Sequence, residues 1–578
     1  MRRPTELCDG SNAGFGRDSF LTTLLANPAR RRAVIAFGLG VSMTGVLACG
    51  GNDDRPSADG DAGMSDSRPM IEAPGQPSMC TSGLCTSQAC TSAEQLDLAR
   101  GCRFYAVQMD NIDSDDGKNM MLVLTNGSSE TPANFRIELR SPDGWELVAP
   151  QDVIATGQTA RFEINRPILD PGLAPYAAFR ITSDSPILAV QIVSDDSDRM
   201  SNSSSGTVLL PAHALGQAYM AMTFSQIDSE ATMSTPGGRG AAGTITIVAT
   251  ADGTNVHLSP TTSTLVMAGT TYVPGASPDD LDLQLNEGDV WQVFSDTPGG
   301  DLSGTVITAD HPVEVFSGNV FTTYGFEPYD FNGGDMAIEA MPPLSAWSQD
   351  YVGARLSPQD GCKPYFGDGG GLWQVLAAED GTTVTISASP NTDLVVNNAD
   401  MNQKTMFRLN RGKSMMFSTT PDPNWDGTGA PPTGDFVLKA SNPVLLGQWL
   451  DCEPGLSLGM DTRFGPSTDL SFAFPLGYDQ QVVIARRAGT PVQIDGQTIP
   501  PAFFQPASGD NDYEVARLTA DQFGPCLDAL DVQACQHRLT SLTTGVAVGW
   551  RGADIVCSYA LTVPPSYPCV QPLPGCVQ

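Results

Sequence analysis

The segment GLSLG at 455–459 places Ser457 in the G-x-S-x-G spacing, in which a strained turn can expose a nucleophilic serine. That chemistry needs a strand directly before the turn and a helix directly after it. Here DCEP separates the segment from the preceding strand-like run, and MDTRFGPSTD after it has the composition of a loop. We therefore interpret 455–459 as a loop and predict no catalytic residue there.

The other residues capable of acid, base or metal chemistry form no recognisable catalytic set. The histidines are far apart and match no H-E-x-x-H or similar metal spacing, so we interpret them as surface or turn residues. They are His213, His257, His311 and His537. A pair of loop carboxylates could hydrolyse a glycan, but 65 Asp and Glu residues give no basis for choosing the pair. We predict a protein that is not an enzyme, with a carbohydrate-active hydrolase as the alternative.

An acidic stretch near the start of the predicted fold could bind calcium. DNIDSDDG at 110–117 puts Asn111, Asp113 and Asp115 at alternate positions, and oxygen ligands of this kind suit Ca²⁺. The glycine is displaced and no glutamate stands at the twelfth position, so the stretch is not an EF-hand. A second acidic patch is GDNDYE at 509–514. Structural calcium and solvated acidic turns are both open, and no other cofactor is expected.

The segment NVFTTYGFEPYDFNGGDMAIE at 319–339 combines aromatic rings with carboxylates. Flat rings can stack on sugars or apolar side chains while acids orient hydroxyls or cations, so the segment is a candidate recognition loop for an extracellular glycan or protein. The alternative is that the rings fill the seam between adjacent modules. The candidate ligand-binding residues are Phe321, Tyr324, Phe326, Tyr329, Phe331 and Asp330.

The N-terminal residues predict export and lipid attachment. Three arginines at 30–32 precede about 16 mostly apolar residues, a length that suits a signal peptide and is too short for a bilayer span. The run ends in VLAC, which resembles a bacterial lipobox, so we expect a signal peptide over 1–48 and a lipid on Cys49 that anchors the chain to a membrane. The acidic, Pro/Gly/Ser-rich residues 49–79 are predicted to be a disordered tether.

Eleven cysteines follow the anchor, and in an oxidising compartment they predict disulfides. They crowd into a segment at 80–102 and toward the C-terminus, with a cysteine-containing tail at 566–578. A zinc site in the first cluster is a weaker alternative, because paired C-x₂-C spacing and a nearby histidine are missing. The candidates are Cys80, Cys85, Cys90, Cys102, Cys362, Cys452, Cys526, Cys535, Cys557, Cys569 and Cys576.

The elements that carry these residues are predicted to be short strands. The 578 residues include 59 Gly and 44 Pro with only 17% charged residues, a composition that favours many strands and turns. The formal net charge of −34 excludes a phosphate-binding basic surface, so nucleic acid is not an expected partner.

Four sequence elements recur in the same order. They are an Asp-Gly hairpin pattern (243–260 and 371–388, with a weaker copy at 482–496), a glycine turn before a strand (Gly157, Gly288, Gly412), a proline-led strand (Pro186, Pro312, Pro443), and an apolar segment that ends in proline and an aromatic residue. The three prolines are 126 and 131 residues apart, and LTTGVAVGW at 542–550 is a degenerate fourth copy. This period suits one sandwich module, so we predict an all-β fold of tandem β-sandwich-like modules over 103–565, with a proline at the start of each recurring strand.

The ordered set TITIVATADGTNVHL, LNEGDVWQVF, DLSGTVITADHPVEVFSGN and EAMPPLSAWSQDYV resembles the N-terminal domain of the IgG Fc-binding protein family, over about 105–565. The resemblance implies an extracellular, non-catalytic recognition or adhesion domain. A lipobox ahead of such a domain is similar to surface lipoproteins of Gram-negative bacteria. We therefore expect an exported protein, lipid-anchored to the outer membrane or cell surface, that binds a glycan or protein; an inert structural envelope protein is the remaining alternative.

Overall fold

The structure is a computed structural model of the whole chain. It describes residues 87–96, 99–109, 119–148, 152–164, 171–195, 205–225, 242–268, 271–274, 280–296, 299–322, 335–356, 371–395, 405–422, 432–450, 455–463, 468–473, 479–519, 522, 536–541, 547–553 and 558–563. One helix, α1 (Gln88–Leu96), precedes the strands. Within this part of the chain no helix has the length and apolarity needed to cross a bilayer.

Four successive groups of strands make up four modules. Module 1 contains β1 (Gly101–Ala106), β2 (Asn119–Asn126), β3 (Ala133–Ser141), β4 (Gly144–Leu147), β5 (Asp152–Ile154), β6 (Thr159–Ile164), β7 (Gly172–Ala174), β8 (Phe179–Asp195) and β9 (Ser205–Val208). Module 2 contains β10 (Gly216–Met220), β11 (Gly243–Ala249), β12 (Thr254–Ser259), β13 (Thr264–Ala268), β14 (Thr271–Pro274), β15 (Leu281–Leu285), β16 (Val290–Ser295), β17 (Val306–Thr322) and β18 (Asp335–Ala340).

The second half of the chain repeats this plan. Module 3 contains β19 (Ser348–Gly353), β20 (Gly371–Ala377), β21 (Thr382–Ala388), β22 (Thr392–Val395), β23 (Met406–Leu409), β24 (Ser414–Pro421), β25 (Phe436–Trp449), β26 (Leu456–Leu458) and β27 (Met460–Asp461). Module 4 contains β28 (Thr468–Ala473), β29 (Asp479–Arg487), β30 (Gln493–Ile494), β31 (Gln497–Thr498), β32 (Phe504–Pro506), β33 (Tyr513–Thr519), β34 (Gln536–Ser541), β35 (Ala547–Ala553) and β36 (Ser558–Val563). The predicted all-β fold class is confirmed.

One long strand organises each of the first three modules. In module 2, residues 306–309 of β17 pair with β10 and β12, whereas the ladder from residue 313 onward pairs with β11 and β18, and β10 reaches this second half only at Val313. The same division holds for β8 in module 1 and for β25 in module 3. A strand that changes partners half-way along joins the two layers of a sandwich. In module 4 the shorter β34 and β35 take the two halves of this role.

The recurring proline lies inside the long strand and not at its start, so the predicted position is wrong. Pro312 is within β17, between the two paired halves of the strand, and the ladders omit residues 310–312. Residues 184–186 and 441–443 are omitted in the same way in β8 and β25. A proline can therefore occupy this position because no ladder bond is needed from its nitrogen.

A buried tyrosine holds the strand where the ladder is interrupted. The hydroxyl of Tyr219 donates to the carbonyl of Val313 at 2.7 Å and accepts from the amide of Gly216 at 2.7 Å. Tyr351 makes the equivalent bonds to Val444 at 2.7 Å and Ser348 at 3.1 Å. These tyrosines close the recurring apolar, proline-containing element of the sequence, so the third and fourth repeated elements are bonded to each other.

The Asp-Gly segments are tight turns, but they do not close hairpins as the sequence pattern predicted. Strands β11 and β12 flank Gly253, which has a φ of 72°, yet each pairs with a different half of β17. Strands β20 and β21 flank Gly381 and pair in the same manner with β25. The turn therefore carries the chain from one layer of the sandwich to the other.

The modules share apolar clusters with their neighbours, and the fourth shares one with the first. Four clusters mix residues of modules 1 and 2, 2 and 3, 3 and 4, and 4 and 1. Representative members, in that order, are Phe135 with Phe316, Val293 with Trp449, Val437 with Val483, and Ile484 with Val123. The four modules therefore form a closed ring, which tandem repetition in the sequence did not specify.

Candidate functional site

One strand from near the end of each module, β9, β18, β26 or β36, packs against such strands of two other modules. Strand β9 neighbours β18 and β36, and β26 neighbours the same two strands, so the four make a closed circuit. The hydroxyl of Ser205 accepts from the amide of Ile338 at 3.0 Å, and that of Thr207 accepts from the amide of Ala340 at 2.9 Å. Both partners advance by two residues, so β9 and β18 run in the same direction and begin at the same end of the ring.

Two carboxyl groups are buried beside this circuit. Glu339 on β18 accepts from the Thr207 hydroxyl at 2.6 Å, and Glu314 on β17 accepts from the amide of Leu210 at 3.4 Å. Burial raises the pKa of both carboxyls well above the usual value. Sequence reasoning missed them, because VEVF and AIEA alternate as a half-exposed strand does and nothing in the sequence places a second module over the glutamates.

Ion pairs hold the seam between modules 1 and 2. Arginines of module 1 face acids of both modules, and a hydrogen bond from Arg140 lowers the pKa of Asp252. The set comprises Arg103, Arg140, Arg180, Glu138, Glu287 and Asp252. The Arg180 guanidinium also lies 3.8 Å from the ring centre of Trp145. Strand β7 of module 1 adds to the sheet of module 2 through β16, so the seam is partly a continuous sheet.

The next seam, between modules 2 and 3, contains a buried chain of neutral hydrogen bonds. The indole of Trp449 donates to Gln374 Oε1 at 2.9 Å, and Gln374 Nε2 donates to Ser303 Oγ at 3.0 Å. The chain continues to the carbonyl of Thr223 at 2.7 Å. A Cβ at Gly304 would collide with the carbonyl of Gly412, so the two turn glycines allow the backbones to approach.

The remaining seams are polar at their edges. Between modules 3 and 4, Asp435 is fully buried, accepts from the amide of Arg355 at 2.8 Å and pairs with Arg517. Between modules 4 and 1, the hydroxyl of Thr159 donates to Gln536 at 3.3 Å. Each of the four seams thus contains polar contacts between side chains of both modules, and such contacts favour one arrangement of the modules.

The predicted recognition segment, 319–339, covers the end of β17, most of β18 and the residues between these two strands. These strands pair as far as Thr322 and Asp335, so they form the arms of one hairpin. Phe321 is part of β17 and only 9% exposed, so its ring is not offered at the surface. The other candidates, Tyr324, Phe326, Tyr329, Asp330 and Phe331, lie outside the described residues, as do the calcium candidates Asn111, Asp113 and Asp115.

Ser457 lies in a strand rather than in the predicted loop. It is in β26, which pairs with β25, and it is 1% exposed. A buried strand residue lacks the strained, open turn of a nucleophile elbow. The prediction that this serine is not a nucleophile is consistent with its place in the structure.

A surface chain of polar side chains on module 2 escaped the sequence reasoning. His257 Nδ1 is 2.8 Å from Asp282 Oδ1, and its Nε2 is 3.2 Å from Ser259 Oγ. This connectivity links a hydroxyl, a base and an acid. Asp282 is 80% exposed, and β12 pairs on both sides with β15 and β17, so this strand offers no amide pair for an oxyanion. We interpret the chain as a surface hydrogen-bond network between paired strands.

The other histidines form no catalytic assembly within the described part of the chain. His311 contacts Asp310 at 3.0 Å, and His537 contacts Asp495 at 2.7 Å within module 4. His213 lies in the short 3-10 helix Ala212–Ala214. Within the described ranges, no group of three or more His, Cys, Asp or Glu side chains could hold a metal ion.

Two of the disulfide candidates lie in the described part of the chain and are bonded to each other. Cys90 in α1 is bonded to Cys102 in β1, and both are buried. The helix is thereby fixed against module 1. The remaining cysteine candidates and the lipidation candidate Cys49 lie outside the described residues.

Comparison with known proteins adds the family. The model of the family described as IgGFc binding protein matches residues 205–549, which is more than half of the chain. The chain belongs to the IgGFc binding protein family. Within the IgGFc-binding match lie β9 of module 1, all of modules 2 and 3, and most of module 4. The predicted family resemblance is confirmed, and the family is one of binding proteins.

Other comparisons are distant. No curated protein matches the chain. A crystal structure of Salmonella alpha-2-macroglobulin reacted with methylamine is similar at 10% identity and a TM-score of 0.11, over 82% of this chain and 40% of that chain. A similarity of that size supports no conclusion about fold or function.

Proposed function

We propose that this protein is a lipid-anchored, non-catalytic binding protein that holds a ring of four β-modules outside the cell for a protein or glycan partner. Membership of the IgGFc binding family is the observation that carries the proposal. The lipid is on Cys49, residues 49–79 are the tether, and the anchor is in the outer membrane or at the cell surface of a Gram-negative bacterium.

The ring suits a binding platform. Its seams are filled by apolar clusters and by bonded polar groups, so the surface is carried on a rigid support. We place recognition at 319–339, where Tyr324, Phe326, Tyr329 and Phe331 offer ring faces and Asp330 a carboxylate. A structural calcium ion would take Asn111, Asp113 and Asp115 as ligands, because their side-chain oxygens suit Ca²⁺.

A binding screen tests the partner. Soluble 50–578 is titrated against IgG Fc, mucin, a glycan panel and intact cells, first with calcium and then with a chelator. The test variant changes Tyr324, Phe326 and Tyr329 to Ala. The matched control is Phe503→Ala, because Phe503 is an exposed aromatic side chain of module 4.

We expect the triple variant to lose binding at least about tenfold, as loss of aromatic anchor residues does at interfaces, while Phe503→Ala binds as the wild type. Equal binding by all three proteins would move the site away from 319–339. Absence of any ligand in the screen would contradict the binding function itself.

A further inference from the structure

Two buried glutamates attach the β17–β18 hairpin to the segment that leads from module 1 into module 2. Glu339 Oε2 accepts from the hydroxyl of Thr207 at 2.6 Å, and Glu314 Oε1 accepts from the amide of Leu210 at 3.4 Å. Thr207 and Leu210 belong to the stretch that ends module 1. Both carboxyl groups therefore sit at the junction, one on each arm of the hairpin.

Neither carboxyl group is fully bonded. The second oxygen of each, Glu339 Oε1 and Glu314 Oε2, is buried and has no hydrogen-bond partner among the residues that the structure describes. Glu314 is 0% exposed and Glu339 is 4% exposed. An ionised carboxylate in such a site has lost its water and gains little in exchange, so the protonated form is the stable one.

No charged side chain of the described elements stabilises either carboxylate. Around Glu339, β9 contributes Ser205 and Thr207, β17 contributes the cross-strand Ser317, and the adjacent β26 contains only Leu and Ser. Strand β36 also runs beside β9, and its side chains are outside the described part of the chain.

The titratable neighbour of Glu314 is Tyr219, and the cross-strand partner is Val248. The Tyr219 hydroxyl is bonded to the backbone of Val313 and Gly216, and burial raises its pKa, so it stays neutral beside the carboxyl. Burial is the main cause that raises the pKa of both glutamates, and the hydrogen bonds from Thr207 and the Ala340 backbone to Glu339, and from Leu210 to Glu314, lower it by less.

We propose that Glu314 and Glu339 make the junction between modules 1 and 2 a pH-sensitive joint, closed while both side chains are protonated and loosened when they lose their protons. A group whose pKa is raised by folding contributes stability below its unfolded pKa, and that contribution is lost as the pH rises through the folded pKa. The joint therefore weakens as the pH rises above about 4.3, the pKa of an unfolded glutamate, and Thr207 and Leu210 separate from the hairpin once the carboxyls ionise.

Amide hydrogen exchange measures the joint directly. The amides of Ile338 and Ala340 donate to the hydroxyls of Ser205 and Thr207, so their exchange reports separation of β9 from β18. In the full chain between pH 4 and pH 10, corrected protection factors at these amides should fall by up to about tenfold per pH unit for each carboxyl that ionises, from the unfolded pKa of about 4.3 up to the folded pKa. The amide of Ile386, bonded within module 3, should keep its protection.

Four variants separate the joint from a general loss of stability as the pH rises. Glu339→Gln and Glu314→Gln, alone and together, should flatten the profile because an amide side chain cannot ionise. Glu163→Gln, at a partly exposed carboxylate of module 1, should keep the wild-type profile.

The pH profile of amide protection in the wild type tests the proposal even if a variant does not fold. Constant protection of Ile338 and Ala340 up to pH 10 would overturn the proposal. So would a fall that includes Ile386 equally, or one that persists in the double glutamine variant.

Discussion

At the scale of single residues, an aspartate at the bend of the long strand makes equivalent hydrogen bonds in modules 1 and 2. In module 2 the amide of Asn255 donates to Asp310 Oδ1 at 2.8 Å, and its side chain donates to Oδ2 at 2.7 Å. In module 1, Asn134 makes the same pair of bonds to Asp184. The carboxylate thus takes the place of the ladder bonds that the bend omits. The side-chain hydrogen bond from Asn255 is the main reason that the pKa of Asp310 falls to about 2.

The low pKa of Asp310 predicts a component of acid sensitivity. A carboxyl whose pKa is lowered by folding contributes stability above its unfolded pKa of about 3.9, and the contribution is lost as the pH falls through the folded value. The melting temperature of the wild type should therefore drop more steeply between pH 4 and pH 2 than that of Asp310→Asn. Melting curves recorded across this range by circular dichroism give the difference. If the melting temperatures of the two proteins fall in parallel with pH, Asp310 does not contribute to acid unfolding.

At the scale of the element, the two halves of the long strand pair with different strands, and the proline lies between these halves. Pro312 precedes Val313, where pairing with β11 resumes, whereas Val315 lies within the paired half between β11 and β18. The tolerance for proline is therefore confined to a few residues.

Moving the proline tests this interpretation. Val315→Pro should reduce the free energy of unfolding by at least about 1–3 kcal/mol, because a buried ladder group loses its partner. Pro312→Ala should cost no more than about 1 kcal/mol, since only the restriction of the unfolded chain is lost. Urea titrations of both variants measure the two values. Similar losses would mean that the bend is paired like the rest of the strand.

The same strand shows how far the sequence could lead. Alternating apolar residues, turn glycines and the spacing of Pro186, Pro312 and Pro443 were enough to predict strands, repeats and the fold class. They could not tell that β11 and β12 pair with different halves of β17, because Asp252 and Gly253 serve a turn between layers as well as a hairpin. The strands that pair are about 60 residues apart in the sequence, and the residue types of one strand do not indicate which distant strand is its partner.

At the scale of the whole molecule, the seam between modules 4 and 1 closes the ring. Val123 and Ile484 share a cluster although hundreds of residues separate them, and each lies in a strand that would be buried on one face anyway. The buried glutamates could not be predicted for the same reason. Glu314 and Glu339 are buried because module 1 covers them, and this contact depends on how the modules pack in the ring.

Ring closure predicts that the modules unfold together. Every module packs on two neighbours, so loss of one exposes two apolar faces. We expect residues 74–578 to unfold in a single calorimetric transition whose measured enthalpy equals the van't Hoff enthalpy. A chain ending at 463, which lacks module 4, should unfold at a lower temperature or aggregate. Separate transitions for individual modules would show that the seams contribute little.

In a closed ring, the order in which the modules are linked along the chain matters less for the fold than the contacts between them. Module 4 already packs on module 1 without a peptide bond between them, whereas modules 2 and 3 share a comparable cluster and are also joined by the chain. A circular permutant that connects module 4 to module 1 by a flexible linker and opens the chain between modules 2 and 3 should fold to the same architecture. The contacts across the seams, and not the direction in which the polypeptide visits the modules, then define the molecule.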